Sequence, residues 1–90
     1  MIVRIQGEGQ YDLEGEALHA LKVADGHLFE AVAAGDEAVF HQRFHDVLRL
    51  VRERGSHLPA ERLVESDLVL PASDTSLAEA RRLFIQSPST

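Results

Sequence analysis

Residues 1–16 read MIVRIQGEGQYDLEGE, and the fold class turns on how that stretch is understood. An apolar run, a G-x-G turn and the onset of a helical pattern begin a dinucleotide-binding fingerprint, the signature of a parallel α/β sheet. The fingerprint requires a third glycine where Asp12 stands, and a second parallel strand directly after the first helix. Here the first helix leads into another helix, and Glu8 would set a carboxylate beside a pyrophosphate. The stretch is better read as a strand, a glycine turn and a short return. Val3 and Ile5 alternate with polar Arg4 and Gln6, and Gly7-Glu8-Gly9 supplies the backbone freedom of a tight reversal. Gln10–Leu13 can return as a second strand. Asp12 equally suits the N-cap of the next helix, with Glu14 and Glu16 near its positive end.

Beyond that turn, helical periodicity takes over. From about Leu13 to Ala34, Leu18, Leu21, Leu28 and Val32 fall on one stripe beside Ala17, Ala24 and Ala31. Asp25 and Gly26 interrupt the middle, which permits a bend there. Gly35 suits a helix end and Asp36 the cap of the next helix, so the two helices fold back antiparallel. The second helix, from about Asp36 to Arg54, carries the strongest pattern in the chain. Phe40, Phe44, Val47, Leu48 and Val51 recur at i, i+4, i+7, i+8 and i+11, and Gly55 stops it. Ser56–Glu65 reads as a connection, and SDLVLP at 66–71 as a third strand that Pro71 confines to a sheet edge. Ser76-Leu77-Ala78-Glu79 is a capping box before a short helix whose apolar face is Leu77, Ala80 and Phe84. The expected architecture is α+β: two or three short strands packed on an antiparallel helix pair, plus a short C-terminal helix. One domain spans residues 1–85, and 86–90 form a tail.

Composition narrows the function classes. Ninety residues afford one compact core and no large enclosed active site. With no cysteine there is neither a disulfide framework nor a thiolate metal site, which fits a cytoplasmic protein. A net charge of -6 disfavours general binding to nucleic acid or anionic lipid. No apolar run approaches a membrane span, and no signal peptide is visible at the N-terminus.

Candidate sites are few. Asp12, Glu14 and Glu16 fail as a calcium loop, because its sixth and twelfth positions are Ala17 and Val23 rather than glycine and glutamate. His41 and His45 share a helix face at i, i+4 and are the candidate metal ligands. Gln42 stands where a zinc protease carries its glutamate, no third ligand is indicated, and Glu37, His41, His45 and Arg49 read as a solvent-margin row. His19, His27 and His57 are scattered, and no catalytic triad follows from spacing. Tyr11 is expected to lay its ring over the small sheet. Arg43, Arg49, Arg52 and Arg54 on the second helix could contact nucleic acid, but Glu37, Asp46 and Glu53 dilute that charge. The reading that remains is a non-enzymatic interaction module without a cofactor. It would use the edge near Leu68, Val69 and Leu70 or a spare helix face to bind a partner or a second copy of itself. A small metal-binding protein using His41 and His45 and a nucleic-acid-binding regulator using the helix-two arginines are the alternatives.

Particular strings add a resemblance. MIVRIQGEGQY at 1–11 and SDLVLP at 66–71, the latter followed by Asp74-Thr75-Ser76-Leu77 and a short helix, resemble the PspA-associated protein family, PspAA. The similarity runs from Met1 to about Phe84 and includes the Gly35-Asp36 junction, while the tail Ile85–Thr90 departs from the family's usual ending. The resemblance implies an accessory encoded beside PspA, the coiled-coil membrane-remodelling protein of the phage-shock (envelope-stress) response. It implies no catalysis, PspA as partner, and a bacterial cytoplasmic location that reaches the membrane only through PspA. It carries over no functional residues.

Overall fold

The computed structural model describes residues 1–62 and 64–86, with side chains in the last helix as far as Arg82. The element order is β1 (Ile2–Ile5), β2 (Gly9–Asp12), α1 (Gly15–Ala34), α2 (Glu37–Arg54), β3 (Ser56–His57), β4 (Leu68–Leu70) and α3 (Leu77–Gln86). The strands form one mixed sheet in the order β3-β2-β1-β4, so the architecture is α+β as expected. Of the tail expected at 86–90, Gln86 instead ends α3, and the rest lies outside the described residues.

The first hairpin settles the opening question. Glu8 N–H donates to Ile5 O at 2.9 Å, and Gly7 takes a φ of 85°, the positive value a type II turn requires at its third residue. β1 and β2 then pair antiparallel, with Ile2 opposite Asp12 and Ile5 opposite Gly9. That register draws Asp12 into the ladder, so it does not cap α1. Its carboxylate meets the Met1 amino group at 3.3 Å, and the N-cap position falls to Glu14, which makes no side-chain cap bond.

The central strand β1 has two different faces because strand side chains alternate. Val3 and Ile5 are fully buried, and the register places Tyr11, Leu68 and Leu70 on their side of the sheet. Arg4 points the other way, with Gln10 and Val69 as cross-strand neighbours. β4 runs parallel to β1, and the chain between them holds β2, both long helices and β3.

The helix pair supplies most of the core. Phe40, Phe44, Val47, Leu48 and Val51 on α2 are at most 1% exposed, and they meet Leu21, Leu28, Ala31 and Val32 of α1 in one cluster. Phe40 and Phe44 stack with centroids 5.5 Å apart. The caps behave as their residues dictate: Gly35 N–H bonds to Ala31 and Val32 carbonyls, and Asp36 accepts from Val39 N–H at 3.2 Å. Gly55 is where the helix pair meets the sheet. A Cβ there would lie 2.9 Å from Leu13 Cδ1 and 3.0 Å from Tyr11 Cβ, so only glycine permits this approach.

Two expectations are corrected. α1 is one uninterrupted helix through Asp25 and Gly26, since Gly26 lies on its exposed side and disturbs no packing. Residues 56–65 also contain a fourth, two-residue strand, β3, whose Ser56 and His57 pair with Asp12 and Tyr11.

The Ser76–Glu79 capping box forms as read. Glu79 N–H donates to Ser76 Oγ at 3.2 Å, and Ser76 N–H and Oγ–H return to the Glu79 carboxylate. Leu77 and Ala80 face inward; the Phe84 side chain lies outside the described residues. α3 also brings the Arg81 guanidinium to Gly35, at the C-terminus of α1, whose last turn has no basic residue of its own.

Gly26 gives the direct test of this helix. An added Cβ meets no atom within 4 Å, so Gly26→Ala should stabilise the fold by about 0.5–1 kcal/mol in urea unfolding. A loss of stability would contradict an uninterrupted, solvent-facing helix at this position.

Candidate interaction surface

The residues singled out from the sequence are placed in quite different settings. At the β4 edge, Leu70 is fully buried and Leu68 half-buried, while Val69 is 50% exposed. Gln6 N–H donates to Leu70 O at 3.0 Å, so the backbone of Leu70 faces β1 and that of Val69 turns to the open edge. Of the three, Val69 alone offers both side chain and backbone to a partner. The edge is three residues long and ends at Pro71, which limits indiscriminate strand addition.

His41 and His45 are both exposed on α2, in line with exposed Glu37 and Arg49. Among the described residues no group of three or more His, Asp or Glu side chains is placed to hold a metal ion. The structure does not bring His19, His27 and His57 together. His57 packs against Tyr11 with ring centroids 5.0 Å apart, so part of the Tyr11 ring covers β3 as well as the core.

The arginines of α2 have separate fates. Arg49 pairs with Asp46 at 3.1 Å on the same helix. Arg52 reaches 44 residues back to Glu8, donating from Nε to Oε1 at 2.7 Å and from Nη2 to the second carboxylate oxygen. This bidentate pair ties the β1–β2 turn to the last turn of α2. The Arg52 hydrogen bond holds the Glu8 carboxyl below its ordinary range, and the same bond raises the Arg52 guanidinium. The residue that spoiled a phosphate cradle is thus a structural clasp.

The other perturbed group is Asp25. It is half-buried beside the apolar stripe of α1 and makes no ion pair among the described residues, and burial raises its carboxyl above the ordinary value.

A cleft on the outer face of the sheet escaped the sequence reading. Gln10, 6% exposed, donates both amide hydrogens to the 58–66 connection, to Val64 O at 2.9 Å and Ser66 Oγ at 2.8 Å. Leu58 N–H meets Gln10 O at 2.9 Å. The connection is thereby held against the sheet around Arg4. It borders one open cleft of about 300 Å³, lined by Arg4, Gln10, Arg62 and Glu65 among others, and a neighbouring one of about 170 Å³ that shares Arg4 and Gln10.

The model of the PspA-associated protein family (PspAA) matches residues 1–89. The chain belongs to this family. The match extends to residue 89 and so covers all but the last residue of the tail Ile85–Thr90, which was expected to depart from the family's ending. No curated protein and no solved structure matches the chain. The helices of this family member, among the described residues, are not long and apolar enough to cross a membrane.

Asp25 yields a signed pH prediction. Its folded-state pKa is raised, so the cost of burying it is absent below the ordinary value of 3.8 and fully developed once pH has risen through the raised value. Asp25→Asn should therefore raise the unfolding midpoint at pH 7, with the gain shrinking as pH is lowered toward 3.8. A gain independent of pH would assign the effect to packing instead.

Proposed function

We propose that this protein is a non-catalytic accessory that docks on PspA and tunes its assembly or its engagement with the membrane. The observation that carries this reading is the family match over residues 1–89, in a family named for association with PspA. The structure is compatible with it in kind. Among the described residues one apolar core takes the largest fully buried side chains, and the clefts around it are open. The edge at Val69 and the adjoining outer face of the sheet are the proposed contact surface. There an exposed apolar side chain and unpaired backbone groups lie together.

Membrane contact follows from this arrangement only through the partner. A surface of net charge -6 is repelled by anionic headgroups, so the proposed accessory reaches the bilayer when PspA carries it there.

The experiment is co-purification of the full chain with PspA from its own organism, followed by electron microscopy of PspA assemblies with and without it. Retention of PspA and a changed assembly size are expected. If both proteins are folded and PspA flows through unretained, the reading fails.

A further inference from the structure

The outer-face cleft is lined by two arginines, Arg4 and Arg62. Arg4 sits at the middle of the central strand, and its neighbours across the sheet are Gln10 and Val69, neither of which is a carboxylate. Arg62 is set on the facing wall by a tight turn, closed by its own N–H to Pro59 O at 3.0 Å. Among the described residues neither guanidinium makes an ion pair or a side-chain hydrogen bond, although the chain has 15 carboxylates for nine cations. Other arginines of this chain also lack ion pairs, but Arg4 and Arg62 line one concavity.

The carboxylates near the cleft do not cancel this charge. Glu65 lines the larger cavity and Glu8 the smaller. Glu8 is already engaged in both its oxygens by Arg52. Two arginines against Glu65 leave the larger cavity net positive in a molecule of net charge -6. Gln10 ties the wall to the sheet at Val64 and Ser66, to which it donates both its amide hydrogens.

We propose that the Arg4–Arg62 cleft receives an acidic side chain of the protein partner, seated where Val69 can take an adjoining apolar residue. The proposal rests on the accessory reading above and names the chemistry of its contact. Charge complementarity selects this occupant: an acidic segment is repelled by most of this surface and attracted here, which fixes its register. A guanidinium also presents paired N–H donors that match a carboxylate.

The test measures affinity of the full chain for PspA from its own organism, at low and high salt, for the wild type and four variants. Arg4→Gln and Arg62→Glu should each weaken binding roughly tenfold and flatten its salt dependence. Arg4→Glu should weaken it further, and Arg82→Glu, a matched charge change on exposed α3, should leave it unaltered. Arg4→Gln keeps a strand-compatible polar side chain and is checked for an unchanged unfolding midpoint. If wild type and the Arg4 and Arg62 variants bind PspA equally, the cleft proposal is overturned and the accessory reading stands. If wild type does not bind PspA, the accessory reading fails, and the cleft is judged by amide NMR with an end-blocked penta-glutamate peptide. Shifts at Arg4, Gln10 and Val69 that are absent with penta-glutamine then support it. No shifts, or the same shifts with inorganic phosphate, overturn it. Self-association that Arg4→Gln abolishes would also overturn it, in favour of a second copy as occupant.

Discussion

The apolar stripe of α2 is the constraint on which the other elements depend. Phe40, Phe44, Val47, Leu48 and Val51 are at most 1% exposed, and burying five such side chains is worth roughly 8–15 kcal/mol against leaving them in water. That is comparable with the whole net stability of a small domain, so the chain cannot fold without covering this stripe. α1 covers one side through Leu21, Leu28, Ala31 and Val32. The sheet supplies Val3, Ile5 and Leu70 to the same cluster, Leu13 just past β2 joins them, and α3 supplies Ala80. The sheet has a short job: β1 buries Val3 and Ile5 in the core, β4 buries Leu70, and each strand then stops.

Coverage of that stripe also explains why the two faces of the sheet differ. The inner face is committed to the core by the pairing of Val3 and Ile5 with Tyr11, Leu68 and Leu70. With a period of two, Arg4, Gln10 and Val69 must then face outward. A polar connection can cross that outer face only if its own backbone finds partners. The Gln10 side chain supplies one of them at Val64 O, and this single buried amide keeps the connection against the sheet. The cleft around Arg4 is thus a consequence of how the core was filled on the other side.

The parts legible in the sequence are those written in local chemistry. α2, the Gly35-Asp36 reversal, the capping box at Ser76–Glu79 and the Gly7 turn each depend on residues a few positions apart. What escaped depends on pairing across the chain. β3 has two polar residues with no periodicity, and only the ladder to Tyr11 and Asp12 makes it a strand. Asp12 had the right chemistry for an N-cap, and strand register claimed it. Gly26 had the right chemistry to interrupt the helix, but on the exposed side of a well-packed helix its cost of about 1 kcal/mol is absorbed and α1 runs through it. Of the site candidates, Val69 was legible as an edge residue, whereas Leu70 beside it is core. His41 and His45 share a row as their spacing required, but spacing along one helix cannot supply a third ligand from elsewhere.

Glu8 connects these levels. In sequence it counted against a phosphate site, because it would repel the ligand. In the fold its carboxylate is held in both oxygens by Arg52, 44 residues away, and is therefore unavailable to the nearby Arg4. Had Glu8 turned toward Arg4 instead, the sheet's outer face would be electrically closed. By fastening the hairpin to the end of α2, the clasp leaves the central strand carrying an uncompensated guanidinium on a net acidic protein. The charge that makes the G-x-G turn useless for a nucleotide is what leaves the outer face open to an acidic partner.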